Sequence, residues 1–324
     1  MTVRDYLEAA GIVLAGFSSL FLLFCCFSAL LAAILFRFAI HRRRRRKPGT
    51  HSAGLEPFDP MIREGVTWAD GQSFETVHIR SRDGLTLAGR FLPGDDPKKA
   101  VLMMHGYLAD TMYEFSCGMR YFHEQGYNVL LPAQRAHDES EGDYICFGVL
   151  ERYDVQRWCC YLTQRLGADC RILLHGISMG GATVLMASDL PMPPSVAGII
   201  ADCAFTSPQA IMNCVLRRDM HLYGFSILPA ARFMSRRFAK FDTTYSAVDS
   251  VRHSRLPILF IHGSADEMVP LEMTLESYRE CVSPKRLMVV PGAMHGCSFF
   301  TNPEIYARAV EDFAHLSRFS SISQ

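Results

Sequence analysis

The fold is decided by one short stretch of the sequence, Gly176-Ile177-Ser178-Met179-Gly180. It follows an apolar run at residues 171–175 and precedes a helix-like run that begins with Gly181 and Ala182. A serine on a sharp turn between a strand and a helix is held in a strained conformation that projects its hydroxyl group. The N-terminus of the following helix also favours a developing negative charge. The stretch therefore predicts a nucleophilic Ser178; the alternative interpretation is a glycine-rich turn with an idle serine.

Short apolar runs lie on both sides of this stretch along the chain. Two of them, 76–80 and 85–92, flank Asp83-Gly84, which is a strong hairpin signal. Six further runs rich in Val, Leu and Ile are expected to be strands: 100–104, 127–131, 171–175, 196–201, 258–262 and 286–290. Helical patterns separate them at 150–166, 180–190, 271–281 and 303–316. This alternation predicts one doubly wound, mostly parallel α/β domain whose sheet is covered on both faces.

The interval between Phe205 and Pro257 interrupts this alternation, because it holds about fifty residues without a convincing strand. It is rich in apolar residues that suit helices. Basic residues are mixed among them, namely Arg217, Arg218, Arg232, Arg236, Arg237 and Lys240. A long insertion of this kind is usually functional. We predict a helical lid at about 206–256; ordinary helices that cover one sheet face are the alternative.

A serine hydroxyl needs a base that removes its proton. In this fold the base is expected last in the chain, in the loop after the final strand. His295 lies there, between Gly292 and Gly296 and just beyond the run 286–290. Glycines on both sides suit a loop that presents an imidazole. We therefore predict that His295 is the base.

The imidazole needs a carboxylate that fixes its tautomer and stabilises the imidazolium. Asp266 follows the run 258–262 and gives the order Ser178, Asp266, His295 that this fold requires. Glu267 is adjacent but should point elsewhere if Asp266 points inward. Asp202 follows the run 196–201, where some proteins of this fold place the acid. We predict Asp266, and Asp202 is the open alternative.

Two backbone N–H groups are expected to form an oxyanion hole. One belongs to Met179, the residue after the nucleophile. The other is assigned to Tyr107, in the loop His105-Gly106-Tyr107 that follows the run 100–104. Each such donor is typically worth about 3 kcal/mol of transition-state stabilisation.

The N-terminal region carries a long uncharged segment, residues 11–36. As a helix its 26 residues would rise about 39 Å, more than the roughly 30 Å hydrocarbon core of a bilayer. A cleaved signal peptide, the alternative, would have an apolar region of only about 7–15 residues with positive charge ahead of it. Here the positive charge lies behind. We predict a tail at 1–10 and a transmembrane helix at 11–40.

Basic residues flank only the C-terminal end of this segment, at Arg37 and in the run 42–47. Because Lys and Arg near a span tend to stay in the cytoplasm, we expect a single-pass protein whose larger part faces the cytoplasm. The run is a stop-transfer flank or also a site for anionic lipid head groups. Prolines and glycines follow it. They predict a basic juxtamembrane linker at 41–70 and a folded domain at 71–320.

Composition excludes several classes of protein. The formal net charge is zero, which argues against a nucleic-acid binder with a basic surface. The eleven cysteines are odd in number and irregularly spaced, so they suit a reducing compartment rather than a disulfide framework. The sequence has no C-x-x-C or H-E-x-x-H motif, and a zinc site therefore has no support.

Residues 75–316 resemble the α/β-hydrolase superfamily, closest to the branch of serine aminopeptidase-like hydrolases, small esterases and membrane-tethered relatives. The matching pieces are His105-Gly106, the stretch 175–181, Asp202-Cys203-Ala204-Phe205, the Asp266 loop and His295-Gly296. The stretch 135–142 is similar to the family's Arg-Gly-His-Gly-x-Ser-x-Gly. It differs at Ala136 and Asp138, where glycine is usual.

This resemblance implies hydrolysis of an ester, thioester or amide of a small-molecule or lipid-like substrate, without a metal or organic cofactor. The membrane segment and the apolar lid favour an esterase or lipid-like hydrolase. A peptidase or amidase of the same fold is a second hypothesis. The third is a non-catalytic membrane scaffold, although such relatives usually lose a residue of the triad. The sequence does not indicate an oligomeric state.

Overall fold

An eight-stranded sheet forms the centre of the computed structural model, which describes residues 2–41, 54–222 and 227–320. The strands are β1 Glu75–Arg80, β2 Thr86–Leu92, β3 Lys99–Met104, β4 Asn128–Pro132, β5 Arg171–Ile177, β6 Val196–Asp202, β7 Ile258–Gly263 and β8 Lys285–Val290. Their order is β1-β2-β4-β3-β5-β6-β7-β8. The pairs β1/β2 and β2/β4 are antiparallel and the others are parallel. The predicted hairpin, strands and mostly parallel sheet are confirmed.

Helices connect and cover these strands. They are α1 Val3–Ala39, α2 Asp59–Asp70, α3 Thr111–Glu114, α4 Ser116–Glu124, α5 Glu151–Leu166, α6 Met179–Met186, α7 Pro208–Met220, α8 Ile227–Met234, α9 Ala247–Val251, α10 Leu271–Glu280, α11 Ser298–Thr301 and α12 Pro303–Ser320. A 3₁₀ turn lies at Glu56–Phe58 and a π-helix at Ser235–Ala239. The described part of the predicted lid segment, 206–256, is thus largely helical and contains no strand.

The sheet is buried on both faces because successive side chains of a strand point to opposite sides. Leu102 of β3 lies in one apolar core with Trp158 of α5. The next residue, Met103, lies in a second core with Phe122 of α4. All four side chains are at most 1% exposed. Burial of this kind contributes about 1.5–3 kcal/mol for each large apolar side chain and explains why the strands read as continuous apolar runs.

The segment 54–70, which composition assigns to the linker, is packed against the α/β domain. Ile62 of α2 is fully buried, in an apolar cluster with Leu55 and Phe300. Pro57 and Pro60 lie in the first turns of the 3₁₀ turn and of α2, where a proline loses no helical hydrogen bond. Prolines that suggest a linker therefore start helices here. Residues 42–53, including the basic run 42–47, lie outside the described residues.

Helix α1 is long and apolar enough to cross a membrane, with a mean hydropathy of 2.6 over its most apolar window. It covers residues 11–39 of the predicted span 11–40 and extends towards the N-terminus to Val3, into the segment 1–10 predicted as a tail. Its residues up to Phe27 are exposed, whereas Ser28 and Ala32 are buried. The helix therefore has an exposed part and a packed part.

The order of the strands creates the place for a site. Strand β3 lies between β4 and β5, so the chain leaves β3 towards one side of the sheet and later returns on the other. The connections after β3 and β5 consequently diverge, and a crevice forms at the carboxyl ends of these two strands. His105-Gly106-Tyr107 follows β3 there, and Ser178 follows β5.

Candidate active site

Ser178 lies on the turn between β5 and α6 with φ +54° and ψ −113°. A residue with a side chain rarely adopts this backbone conformation. The turn is held by two backbone hydrogen bonds, from Ser178 N–H to the Asp202 carbonyl at 2.9 Å and from Ala182 N–H to the Ser178 carbonyl at 2.9 Å. Strain of this kind persists only where the surroundings fix it. The predicted sharp turn is therefore present.

The glycines around Ser178 are required by close approach of backbones. A Cβ at Gly180 would overlap the carbonyl oxygen of Met104 in β3. A Cβ at Gly176 would overlap the carbonyl oxygen of Gly180 itself. Any larger residue at either position would push the helix away from the strand. The two glycines thus set where Ser178 stands.

His295 joins Ser178 and Asp266 in one chain of hydrogen bonds. Its Nε2 lies 2.8 Å from Ser178 Oγ, and its Nδ1 lies 2.7 Å from Asp266 Oδ2. A carboxylate only accepts hydrogen bonds, so we assign the proton to Nδ1, which leaves Nε2 to accept from the serine hydroxyl. Gly292 and Gly296, at φ +74° and +71°, let the loop turn on both sides of His295. The three predicted residues lie together.

The side chain of Asp266 is buried and accepts several hydrogen bonds. Its Oδ1 accepts from the N–H groups of Met268 and Val269 at 2.9 and 2.8 Å, and His262 Nε2 lies 3.3 Å from its Oδ2. Burial alone would raise the pKa of Asp266, but the hydrogen bonds from His262 and His295 hold that pKa well below its usual range. The carboxylate is therefore ionised and suited to stabilise an imidazolium. Sequence reasoning missed the role of His262, although its place at the end of β7 was a signal.

Asp202, the alternative acid, has a different partner. Its Oδ1 accepts a hydrogen bond from Ser298 Oγ at 2.8 Å, and the residue is 1% exposed. Burial raises the pKa of Asp202 to about 6. The carboxylate that meets His295 Nδ1 is that of Asp266. Glu267, the other competitor, is exposed.

Both residues predicted to supply the oxyanion hole flank Ser178. Met179 is the first residue of α6, where backbone N–H groups have no partner within the helix. Tyr107 follows Gly106, at which a Cβ would lie 3.6 Å from the Cβ of Ser178. The loop after β3 therefore runs directly beside the serine.

Glu114 holds this loop by a hydrogen bond, and the sequence analysis did not identify it as a site residue. Its Oε2 accepts from Gly106 N–H at 2.7 Å. Burial raises the pKa of Glu114 to about 8, so the group is largely neutral at pH 7. The loop is also bound by His137, whose Nε2 accepts from Leu108 N–H at 3.3 Å. His137 reaches this loop from a segment that is distant in sequence, and neither hydrogen bond follows from a local sequence motif.

The sequence of the stretch 135–142, which contains His137, differs from the motif of the α/β-hydrolase superfamily at two positions with a strained backbone. Ala136 and Asp138 have φ values of +62° and +40°, in the left-handed region that favours glycine. Aspartate tolerates this region better than alanine. The structure keeps the turn with non-glycine residues, at a cost of about 1–2 kcal/mol for the alanine.

Within the described part of the chain, one group of potential metal ligands lies close together. It consists of Cys203, Asp266 and His295. Asp266 and His295 already bond to each other. Burial raises the pKa of the Cys203 thiol well above its usual range, and a protonated thiol is a poor ligand. The donor set suits a proton-transfer site better than a metal site.

A cavity of about 310 Å³ opens at Ser178. Its walls come from the last turns of α1, from α7 and α8, and from the domain residues Phe147, Phe205 and Met268. Among the described lining residues, only Ser178 and Tyr107 carry polar side chains. The Tyr107 hydroxyl donates to the carbonyl oxygen of Ala39 at 2.8 Å. The serine therefore lies at the polar end of an apolar cavity.

Comparison with known proteins agrees with this architecture. A family model described as alpha/beta hydrolase fold matches residues 99–250. YqkD of Bacillus subtilis is 26% identical over 255 residues, 75% of this chain and 81% of its own length. YfhR of Escherichia coli is 25% identical over 252 residues, 75% of this chain and 81% of its own length. The Pyrococcus furiosus esterase Pf2001 is similar with a TM-score of 0.64 at 20% identity, which covers 85% of this chain and 97% of that chain.

The matched region runs from β3 into the lid segment, so it includes the serine turn. The likeness to Pf2001 extends over nearly all of that protein. The sheet order and the turn after β5 carry the same conclusion. The chain has the α/β-hydrolase fold, and residues 99–250 match the model of the family that is described by that fold.

Proposed function

We propose that the protein is a serine hydrolase that cleaves an ester, thioester or related acyl bond through Ser178, His295 and Asp266. The observation that carries the proposal is the continuous hydrogen-bond chain from Ser178 Oγ through His295 to Asp266. It stands at the end of a cavity that otherwise has apolar walls. An acyl chain can pack against such walls while its carbonyl carbon lies next to Ser178 Oγ.

The reaction proceeds in two halves. His295 Nε2 takes the Ser178 proton as the oxygen attacks the carbonyl carbon, and the ionised Asp266 stabilises the resulting imidazolium. The N–H groups of Met179 and Tyr107 donate to the oxyanion. His295 then gives its proton to the leaving oxygen or sulfur, which leaves an acyl group on Ser178. Water, deprotonated by His295, releases the acid and restores the serine.

Labelling with a fluorophosphonate tests the proposal. The full chain should react at Ser178, and Ser178→Ala should abolish labelling and lower turnover of p-nitrophenyl acetate by about 10⁴-fold or more. Ser73→Ala, at an exposed serine outside the strands, is the matched control and should change neither. A folded protein that is not labelled at Ser178 would instead favour the scaffold hypothesis.

We also propose that α1 anchors the protein in a membrane as a single-pass helix, with the hydrolase domain in the cytoplasm. The length and hydropathy of α1 support the anchor, and the basic residues Arg37 and 42–47 support the orientation. The intact protein should therefore retain α1, which mass spectrometry measures. In sealed vesicles with the cytoplasmic face outward, added trypsin should digest the domain. Protection until detergent is added would reverse the orientation.

A further inference from the structure

The packed part of α1 belongs to the protein's apolar interior. Ala32 is fully buried in a cluster with Leu216 of α7 and Ile227 of α8. The Phe36 ring lies 6.3 Å from that of Phe238, in the π-helix. The last turns of a helix that is otherwise exposed are therefore packed on the lid segment.

The end of α1 is fixed to the α/β domain by hydrogen bonds. The carbonyl oxygens of the last helical turn lack partners within the helix. Here Tyr107 Oη donates to the Ala39 carbonyl at 2.8 Å, and Ile145 N–H donates to the Ile40 carbonyl at 2.7 Å. Ile40 is 1% exposed. The helix thus ends at a defined place, beside the loop that flanks Ser178.

The same turns of α1 line the cavity at Ser178. Leu35, Phe36 and Ala39 face it from α1, and Met212 and Leu216 face it from α7. A volume of about 310 Å³ is at the lower end of the usual range for ligand pockets. The space between α1 and the lid segment therefore suits one apolar chain that ends in a carbonyl group.

The depth of α1 in a bilayer places this space at the membrane surface. The exposed, uncharged residues 11–27 number seventeen and rise about 25 Å as a helix, just short of the roughly 30 Å hydrocarbon core. The packed part therefore starts close to one edge of that core. Phe233 and Phe238 are 68% and 50% exposed, and Arg236 and Arg237 lie beside them. Exposed aromatic and basic residues together are typical of a surface at the membrane interface.

From these observations we infer that α1 forms one wall of the acyl pocket and that the substrate is a long-chain acyl ester of the bilayer. The chain enters between α1 and the lid segment and brings its carbonyl carbon to Ser178. The inference rests on the proposed function and adds the class of substrate and its route. The membrane helix is then part of the substrate site as well as an anchor.

Substitutions in α1 test whether this helix forms one wall of the acyl pocket. In the full-length protein in phosphatidylcholine vesicles, Leu35→Trp should lower the ratio of kcat/KM for p-nitrophenyl palmitate to kcat/KM for p-nitrophenyl acetate at least tenfold. Leu30→Trp is the matched control, because Leu30 is on the same helix but 61% exposed. It should leave both rates unchanged. An unchanged ratio of palmitate to acetate turnover in Leu35→Trp would overturn the inference.

Labelling separates this inference from the proposed function. A variant that still reacts with fluorophosphonate at Ser178 is folded. Its ratio of palmitate to acetate turnover then tests only whether α1 forms a wall of the pocket. Loss of labelling in the unaltered protein would contradict the proposed function instead. If Leu35→Trp does not fold, the smaller change Leu35→Ala decides: it should lower the palmitate-to-acetate ratio severalfold, and an unchanged ratio would overturn the wall.

The route is tested by diluting the palmitoyl ester in the bilayer. At constant bulk concentration, turnover should fall in proportion to the mole fraction of ester in the vesicles. Turnover that follows the bulk concentration would mean delivery from solution and would overturn the membrane route. Both results use the unaltered protein, so they do not depend on any substitution.

Discussion

The two ends of the cavity are built in different ways. At the serine end, Ser178, Asp266 and His295 each follow a strand of one sheet, so the parallel order of the strands brings them together. At the apolar end, α1 meets α7 and α8, which lie far from it in sequence and contact it through apolar side chains. In the function proposed here, the rigid sheet places the reacting groups, and helix packing selects the acyl chain. We expect changes at the serine end to affect rate and changes at the apolar end to affect selectivity.

The largest effect is expected from the buried carboxylates. Asp266→Asn should lower kcat on p-nitrophenyl acetate by roughly 10⁴-fold, because an amide favours the wrong tautomer of His295. Asp202→Asn is the matched control, since its amide oxygen can still accept from Ser298. It should stay within tenfold of the unaltered protein. A greater loss in Asp202→Asn than in Asp266→Asn would reassign the acid.

Gly180→Ala should disrupt the turn that holds Ser178. The new Cβ would overlap the Met104 carbonyl oxygen, so the strand and helix must separate; we expect more than about 3 kcal/mol of lost stability and no fluorophosphonate labelling. Gly118→Ala, in α4, is the control because its Cβ would meet only Met103 Cε at an ordinary 3.5 Å. That change should be neutral or stabilise by about 0.5–1 kcal/mol. Thermal unfolding measures both, and a Gly180→Ala protein as stable as the control would contradict the close packing.

At the apolar end the expected effects are smaller. Ala32→Phe overpacks the contact of α1 with the lid segment, at a cost of about 1–3 kcal/mol. We expect trypsin to cut the lid segment roughly tenfold faster and palmitate turnover to fall while acetate turnover is kept. Ala29→Phe, at an exposed position of the same helix, is the control. Equal cleavage rates in the two variants would show that α1 does not hold the lid segment.

The same contrast explains what the sequence could predict. The strands and the serine turn are local patterns, and the order of Ser178, Asp266 and His295 follows from the fold that these patterns imply. The contact of α1 with the lid segment follows from no local pattern, because a membrane helix is apolar on all sides and its pattern does not mark the turns that meet protein. Helix α2 was missed for another reason. Pro57 and Pro60 mark a loop and the start of a helix equally well.

Glu114 shows the same limit at the serine end. Its hydrogen bond to Gly106 N–H joins α3 to the loop after β3, and an acidic residue in a short helix gives no warning of burial. Burial raises the pKa of Glu114 to about 8, so this carboxyl group is largely neutral at pH 7. A neutral Glu114 supports the loop without adding negative charge beside the proposed oxyanion site.

The smallest predicted effect is a dependence of stability on pH. The pKa of Glu114 is raised to about 8, so between its ordinary value near 4.5 and about 8 the folded state binds more protons than the unfolded state. Stability from this group is therefore lost as pH rises through that range. Glu114→Gln keeps an acceptor for Gly106 N–H and removes the titration. Its Tm should exceed that of the unaltered protein by at least roughly 2–4 °C at pH 8.5, because one raised pKa unit is about 1.4 kcal/mol and about 1 kcal/mol already gives that shift in a domain of this size.

At pH 5 the difference in Tm between the two proteins should be much smaller than at pH 8.5, because most of the penalty develops only between pH 5 and about pH 8. Glu139→Gln, at an exposed carboxylate, is the matched control and should follow the unaltered protein at both pH values. A Glu114→Gln protein whose Tm differs by the same amount at pH 5 and pH 8.5 would mean that Glu114 acts through packing, not through its proton. The loop beside Ser178 would then be held by shape alone, and the serine end would resemble the apolar end in the way it is built.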